Sequence, residues 1–114
     1  MSVNLQALDT GKLFTSMFSA AEGAAKSGWV DIKSSVRIEL KAVATRIREI
    51  GKAVKTGEAD ASDAKLLMKM VKNNVIAALA MVTNIVLVTA EKIVNAALKA
   101  IKQVVNTAIG FPIM

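Results

Sequence analysis

Along residues 29–55, apolar side chains recur every three or four positions: Trp29, Ile32, Val36, Leu40, Val43, Ile47, Ile50 and Val54. This is the period of a helix with one buried face. Placed at about 100° per residue, Lys33, Arg37, Lys41, Arg48, Lys52 and Lys55 fall in an arc of roughly 100° beside that stripe. A shorter pattern over residues 10–27 puts Phe14, Met17, Phe18, Ala21 and Ala25 on one face, with Asp9 or Thr10 placed to cap its start. Residues 56–60 read as a turn. Asp60 or Ser62 can cap the next helix, and Glu58, Asp60 and Asp63 put negative charge at its positive end.

From there helical patterning continues over residues 61–109 and stops at Gly110, Phe111 and Pro112, leaving a tail over 110–114. Unbroken, that helix would be about 75 Å long at ~1.5 Å per residue, too long for a compact domain of this size. The polar residues change face along it. Lys65, Lys69 and Lys72 share one side, whereas Glu91, Asn95, Lys99, Lys102 and Asn106 share a side rotated by well over ~90°. Either the helix breaks within residues 83–90, giving four helices, or its two ends meet different neighbours. The expected fold is therefore all-α: three to four helices in one domain over residues 1–114, arranged as a long antiparallel hairpin or a bundle. Apart from its first few residues the chain is expected to be ordered.

Composition adds a constraint. Hydrophobic residues make up 54% of the 114-residue chain and mean hydropathy is +0.46, more apolar surface than a small monomer normally hides. The surplus calls for a partner: another copy, a different protein or a bilayer. Net charge of +6 favours something acidic, such as phospholipid head groups or nucleic acid. Residues 1–8 contain no basic side chain and Asp9 follows directly, so no secretory signal is expected.

Residues 73–90, NNVIAALAMVTNIVLVTA, carry no charge between Lys72 and Glu91. As one helix they would span about 27 Å, slightly under the ~30 Å hydrocarbon core of a bilayer. Asn73, Asn74, Thr83, Asn84 and Thr89 shorten the purely apolar run, so a helix buried inside a bundle fits as well. On either reading Val75, Ile76, Leu79, Val82, Ile85 and Val86 are the expected membrane or core contacts. Asn84 is placed to fix register against another copy or to sit at a helix break.

Catalytic chemistry has little to work with. Cysteine and histidine are absent, which removes thiolate and imidazole metal ligands and every nucleophile–histidine pairing. The nine acidic residues form no paired-carboxylate motif on an apolar face, and neither glycine-rich phosphate loop occurs. No catalytic, metal or cofactor site and no small-molecule substrate are expected. The pattern points to a non-enzymatic, homo-oligomeric assembly subunit associated with a membrane through its central apolar helix, as in a virion membrane, a pore or a secretion apparatus. It is expected on an anionic bilayer or within a macromolecular assembly. The alternative is a soluble, cytoplasmic helical-bundle interaction protein whose apolar helix is buried in an oligomer. A nucleic-acid-binding structural role is weaker, because Phe14, Phe18 and Trp29 lie in apolar stripes and not among the basic residues.

Overall fold

The computed structural model describes residues 3–114 as four α-helices and two single 3-10 turns. A 3-10 turn (Leu5–Leu8) leads into α1 (Thr10–Ala25); a second (Lys26–Gly28) leads into α2 (Trp29–Thr56); α3 (Ala61–Thr83) and α4 (Leu87–Ile109) follow. The caps account for the boundaries. The Asp9 carboxylate accepts the Lys12 N–H at 2.9 Å, and Asp60 and Asp63 exchange side-chain to backbone bonds as a capping box at the start of α3. Gly57 and Gly110 take the left-handed conformation that ends α2 and α4.

The helix over 61–109 breaks. Asn84 adopts φ 58° and ψ 19° as the last cap of α3, and Ile85 and Val86 carry the chain back into α4. Asparagine is among the few non-glycine residues that tolerate this conformation. The Thr83 hydroxyl also donates to the Leu79 carbonyl, a back-bond to the residue four earlier that competes with the helical ladder near the end of α3.

Packing is cyclic. Each helix lies against the next, and α4 closes against α1, as in an up-down-up-down bundle. The longest dimension, 43 Å, is that of α2, whose 28 residues span about 42 Å. Because consecutive helices run antiparallel, the α1–α2 and α3–α4 turns share one end. The α2–α3 turn and both chain termini share the other. The core between the helices is wholly apolar: no polar or charged residue is buried among the described residues.

Residues 3–8 are packed, contrary to the expectation that the first few residues lie outside the ordered body; residues 1–2 are outside the described part. Val3 and Leu8 are buried, and the Asn4 N–H donates to the Ala108 carbonyl at 2.8 Å. The Arg48 guanidinium donates to the carbonyls of Leu5 and Leu8 at 2.6 and 3.1 Å. Gly51 makes room for this turn, since a Cβ there would come within 2.5 Å of Leu8 Cδ1.

Candidate functional surfaces

The break at Asn84 divides the uncharged segment in two. Val75, Ile76 and Leu79 face inward and are buried, Ile85 is half-buried, and Val82 and Val86 are exposed. A continuous span over residues 73–90 is therefore not formed. Its two halves make a helical hairpin whose tip is apolar: Met81, Val82, Val86, Leu87 and Val88 are 79, 63, 68, 55 and 68% exposed. Val30, at the start of α2 on the same end of the bundle, is also exposed. Asn84 lies at the tip, exposed, where its backbone closes α3.

An apolar row also runs along the outside of α3. Leu66, Met70 and Met81 point away from the core formed by Ala64, Met68, Val75, Ile76 and Leu79, because positions four and eleven apart return to one side of a helix. By length and composition α3 is the one helix among the described residues able to cross a membrane. Of its most apolar 18-residue window 22% is buried. Most of the large exposed apolar side chains thus sit on α3 and at the tip, with Ile38 on α2 and Val104 on α4 exposed as well.

The basic face of α2 is partly occupied within the fold. Arg48 holds the N-terminal turn. The Arg37 guanidinium lies 5.5 Å from the centre of the Phe18 ring, and Lys41 Nζ lies 5.7 Å from that of Phe14, both in cation–π range. Phe14 stacks on Phe18 with centroids 5.1 Å apart, and Phe18 meets Trp29 edge-on at 4.9 Å. Aromatic and basic residues therefore do come together, unlike their separation along the sequence. They meet at the α1–α2 seam, where Arg37 and Lys41 stay exposed, as do Lys33, Lys52 and Lys55; only Arg48 of that face is half-buried.

A denser basic site lies elsewhere. The reversal at Asn84 brings the two lysine faces of residues 61–109, divergent along a straight helix, to opposite walls of one groove. Lys65, Lys69 and Lys72 come from α3, and Lys99 and Lys102 from α4. The groove encloses about 430 Å³ and no acidic residue lines it. Its floor is apolar: Met68, Leu98 and Ile113 are buried and Met114 is half-buried. The tail reaches the floor because the Asn106 side-chain oxygen accepts the N–H groups of Ile113 and Met114 at 3.0 and 3.2 Å. Sequence periodicity offered no sign of that role. The acidic residues stay dispersed, and among the described residues no three gather as a metal-ligand set.

No protein-family model, curated protein or solved structure matches this chain.

Proposed function

We propose that the protein is a non-enzymatic, membrane-associated assembly subunit that attaches to a bilayer through the α3–α4 tip. The observation that carries this reading is the cluster of five large apolar side chains over residues 81–88, each more than half exposed at one end of the bundle. Fully burying such a side chain is worth about 1.5–3 kcal/mol, so withdrawing these five from water releases about 5–10 kcal/mol. Lost motion on association, about 4–15 kcal/mol, offsets much of this gain, so attachment through the tip alone is weak and reversible. Glu91 and Lys92, one turn beyond Leu87, limit insertion to the interfacial depth of about 5–10 Å. Crossing by α3 alone would strip Val75, Ile76 and Leu79 from the core, so the folded bundle inserts its tip and stays intact.

Val86 supports the same reading. It is the N-cap of α4 and makes no side-chain capping bond, although serine, aspartate or asparagine would stabilise that end by about 1 kcal/mol. Local rules are broken in this way where another demand prevails, and an apolar tip is such a demand. Copies standing side by side, tips down, would meet along the outward row of Leu66, Met70 and Met81. That arrangement suits a subunit of a virion membrane, a pore or a secretion apparatus.

Flotation with vesicles of pure phosphatidylcholine tests the proposal, since a zwitterionic surface isolates apolar insertion from charge attraction. The protein is expected to float with the vesicles. A chain that stays at the bottom of the gradient, monodisperse by light scattering, would return the tip to the competing role of a docking site for a soluble protein partner.

A further inference from the structure

The five-lysine groove between α3 and α4 has dimensions and a lining that suit an amphiphilic anion. Its volume of about 430 Å³ falls within the ~300–1,000 Å³ of small-molecule sites, which combine an apolar lining with a few polar groups. Lysine side chains on facing walls repel one another, and no acidic side chain among the lining residues relieves them. Bringing an anion between them removes that repulsion and adds attraction. The floor of Met68, Leu98, Ile113 and Met114 offers nothing to a free inorganic ion and a suitable bed to an alkyl chain. It presents no aromatic ring on which a nucleobase would stack.

We propose that this groove holds one anionic phospholipid, its phosphate between the lysines of α3 and α4 and part of an acyl chain on the apolar floor. The proposal rests on the membrane reading above, and position favours it. Lys72, at the end of the groove nearer the tip, lies eleven residues before Thr83, about 16 Å along the helix. With the tip inserted by about 5–10 Å, Lys72 stands near the headgroup layer, which extends roughly 5–8 Å beyond the hydrocarbon. Only this tipward end of the groove meets the headgroup layer; Met68 on the floor lies about 22 Å from Thr83, so the lipid leaves the bilayer in part to occupy the site.

The test uses soluble lipid, so that groove and tip are judged separately. The intact chain is titrated calorimetrically with dihexanoyl phosphatidic acid, dihexanoyl phosphatidylcholine, each below its micelle concentration, and inorganic phosphate. Saturable binding of one phosphatidic acid per chain is expected, with the other two weaker by about tenfold or more. The exposed pair Lys69→Glu with Lys99→Glu should weaken phosphatidic acid by about 30-fold, as should Lys65→Glu with Lys102→Glu. Lys52→Glu with Lys55→Glu, equal in charge but outside the groove, should change it by less than about threefold. The proposal is overturned by inorganic phosphate binding as tightly as phosphatidic acid, by equal losses in groove and control pairs, or by no saturable binding. A groove that fails while flotation on phosphatidylcholine persists removes this site alone; binding of soluble phosphatidic acid without flotation removes the membrane reading instead.

Discussion

Replacing Val86 with aspartate should move fold stability and membrane binding in opposite directions. In the folded chain Val86 has the extended backbone of an N-cap, φ −67° and ψ 151°, and its carbonyl already accepts the Thr89 and Ala90 N–H groups. Its side chain caps nothing and is 68% exposed. Aspartate there would accept a free N–H of the first turn and meet the positive end of the α4 dipole, a gain of about 1 kcal/mol. For a chain of this size that raises Tm by about 3–6 °C. At the bilayer the same change forfeits about 1 kcal/mol of valine burial and sets a carboxylate at the edge of the hydrocarbon, about 1–2 kcal/mol more. Partitioning onto phosphatidylcholine vesicles should fall by about 30- to 150-fold. Calorimetric melting and vesicle titration of one preparation give both numbers, and Val86→Ser, which caps without charge, should show a similar Tm gain with a smaller binding loss. Unchanged binding with a raised Tm would show that the tip does not touch the membrane. A lowered Tm would show that Val86 is packed, and the reasoning from its exposure would fail.

Leu79→Ala, at a fully buried position seven residues earlier, should lower stability by about 2–5 kcal/mol in urea unfolding, while vesicle binding well below the transition stays unchanged. Arg48→Met keeps much of the side chain's bulk but leaves the Leu5 and Leu8 carbonyls without their donor; a loss of about 1–3 kcal/mol and faster amide exchange over residues 3–8 are expected, and unaltered exchange would contradict the clamp. Asn84→Gly should be neutral within about 0.5 kcal/mol, whereas Asn84→Val, β-branched at φ 58°, should cost about 1–2 kcal/mol by thermal melting. Because the chain lacks cysteine, Met70→Cys can report self-contact: disulfide dimers should form on vesicles, and none from Glu22→Cys on α1. Equal cross-linking at the two positions would argue against an interface along α3.

The helices were legible because each rests on a local signal, and so were several of their ends, though α1 stops at Ala25, two residues before the expected 27, where Lys26 turns to φ 53°. Asp9 and Asp60 cap α1 and α3, and Gly57 and Gly110 close α2 and α4, as their chemistry predicts. The break within residues 61–109 was legible only as a mismatch between polar faces, since Asn84, Ile85 and Val86 include neither glycine nor proline. Periodicity could not divide residues 73–90 correctly. Leu79 and Val82 are equally apolar, but one is buried and the other exposed, because the helix presents residues three apart at angles about 60° different. The Arg48 clamp and the Asn106 contacts join positions through tertiary folding: Arg48 reaches residues 43 and 40 positions away, beyond the range of any local pattern.

Both proposed surfaces arise from the same reversal. In a continuous helix the side chains of Met81, Val82, Val86, Leu87 and Val88 would be distributed around its circumference over about 10 Å of length, with no end at which to gather. Lys65, Lys69 and Lys72 would face away from Lys99 and Lys102. Folding back at Asn84 collects the apolar residues at the tip and sets the lysines face to face along the flank. The result is a bundle with direction: a hairpin tip without charged side chains, at an end that also carries Lys26 and Asp31 beside the α1–α2 turn, and a cationic groove starting about 16 Å behind that tip. Attraction to anionic lipid at the groove and burial at the tip would then orient the molecule the same way, with the bundle axis steep to the membrane and the α2–α3 turn farthest from it. Charge alone would favour laying the basic flank flat. On the proposed reading the apolar tip, with Glu91 and Lys92 halting it at interfacial depth, would make the upright arrangement the more stable one.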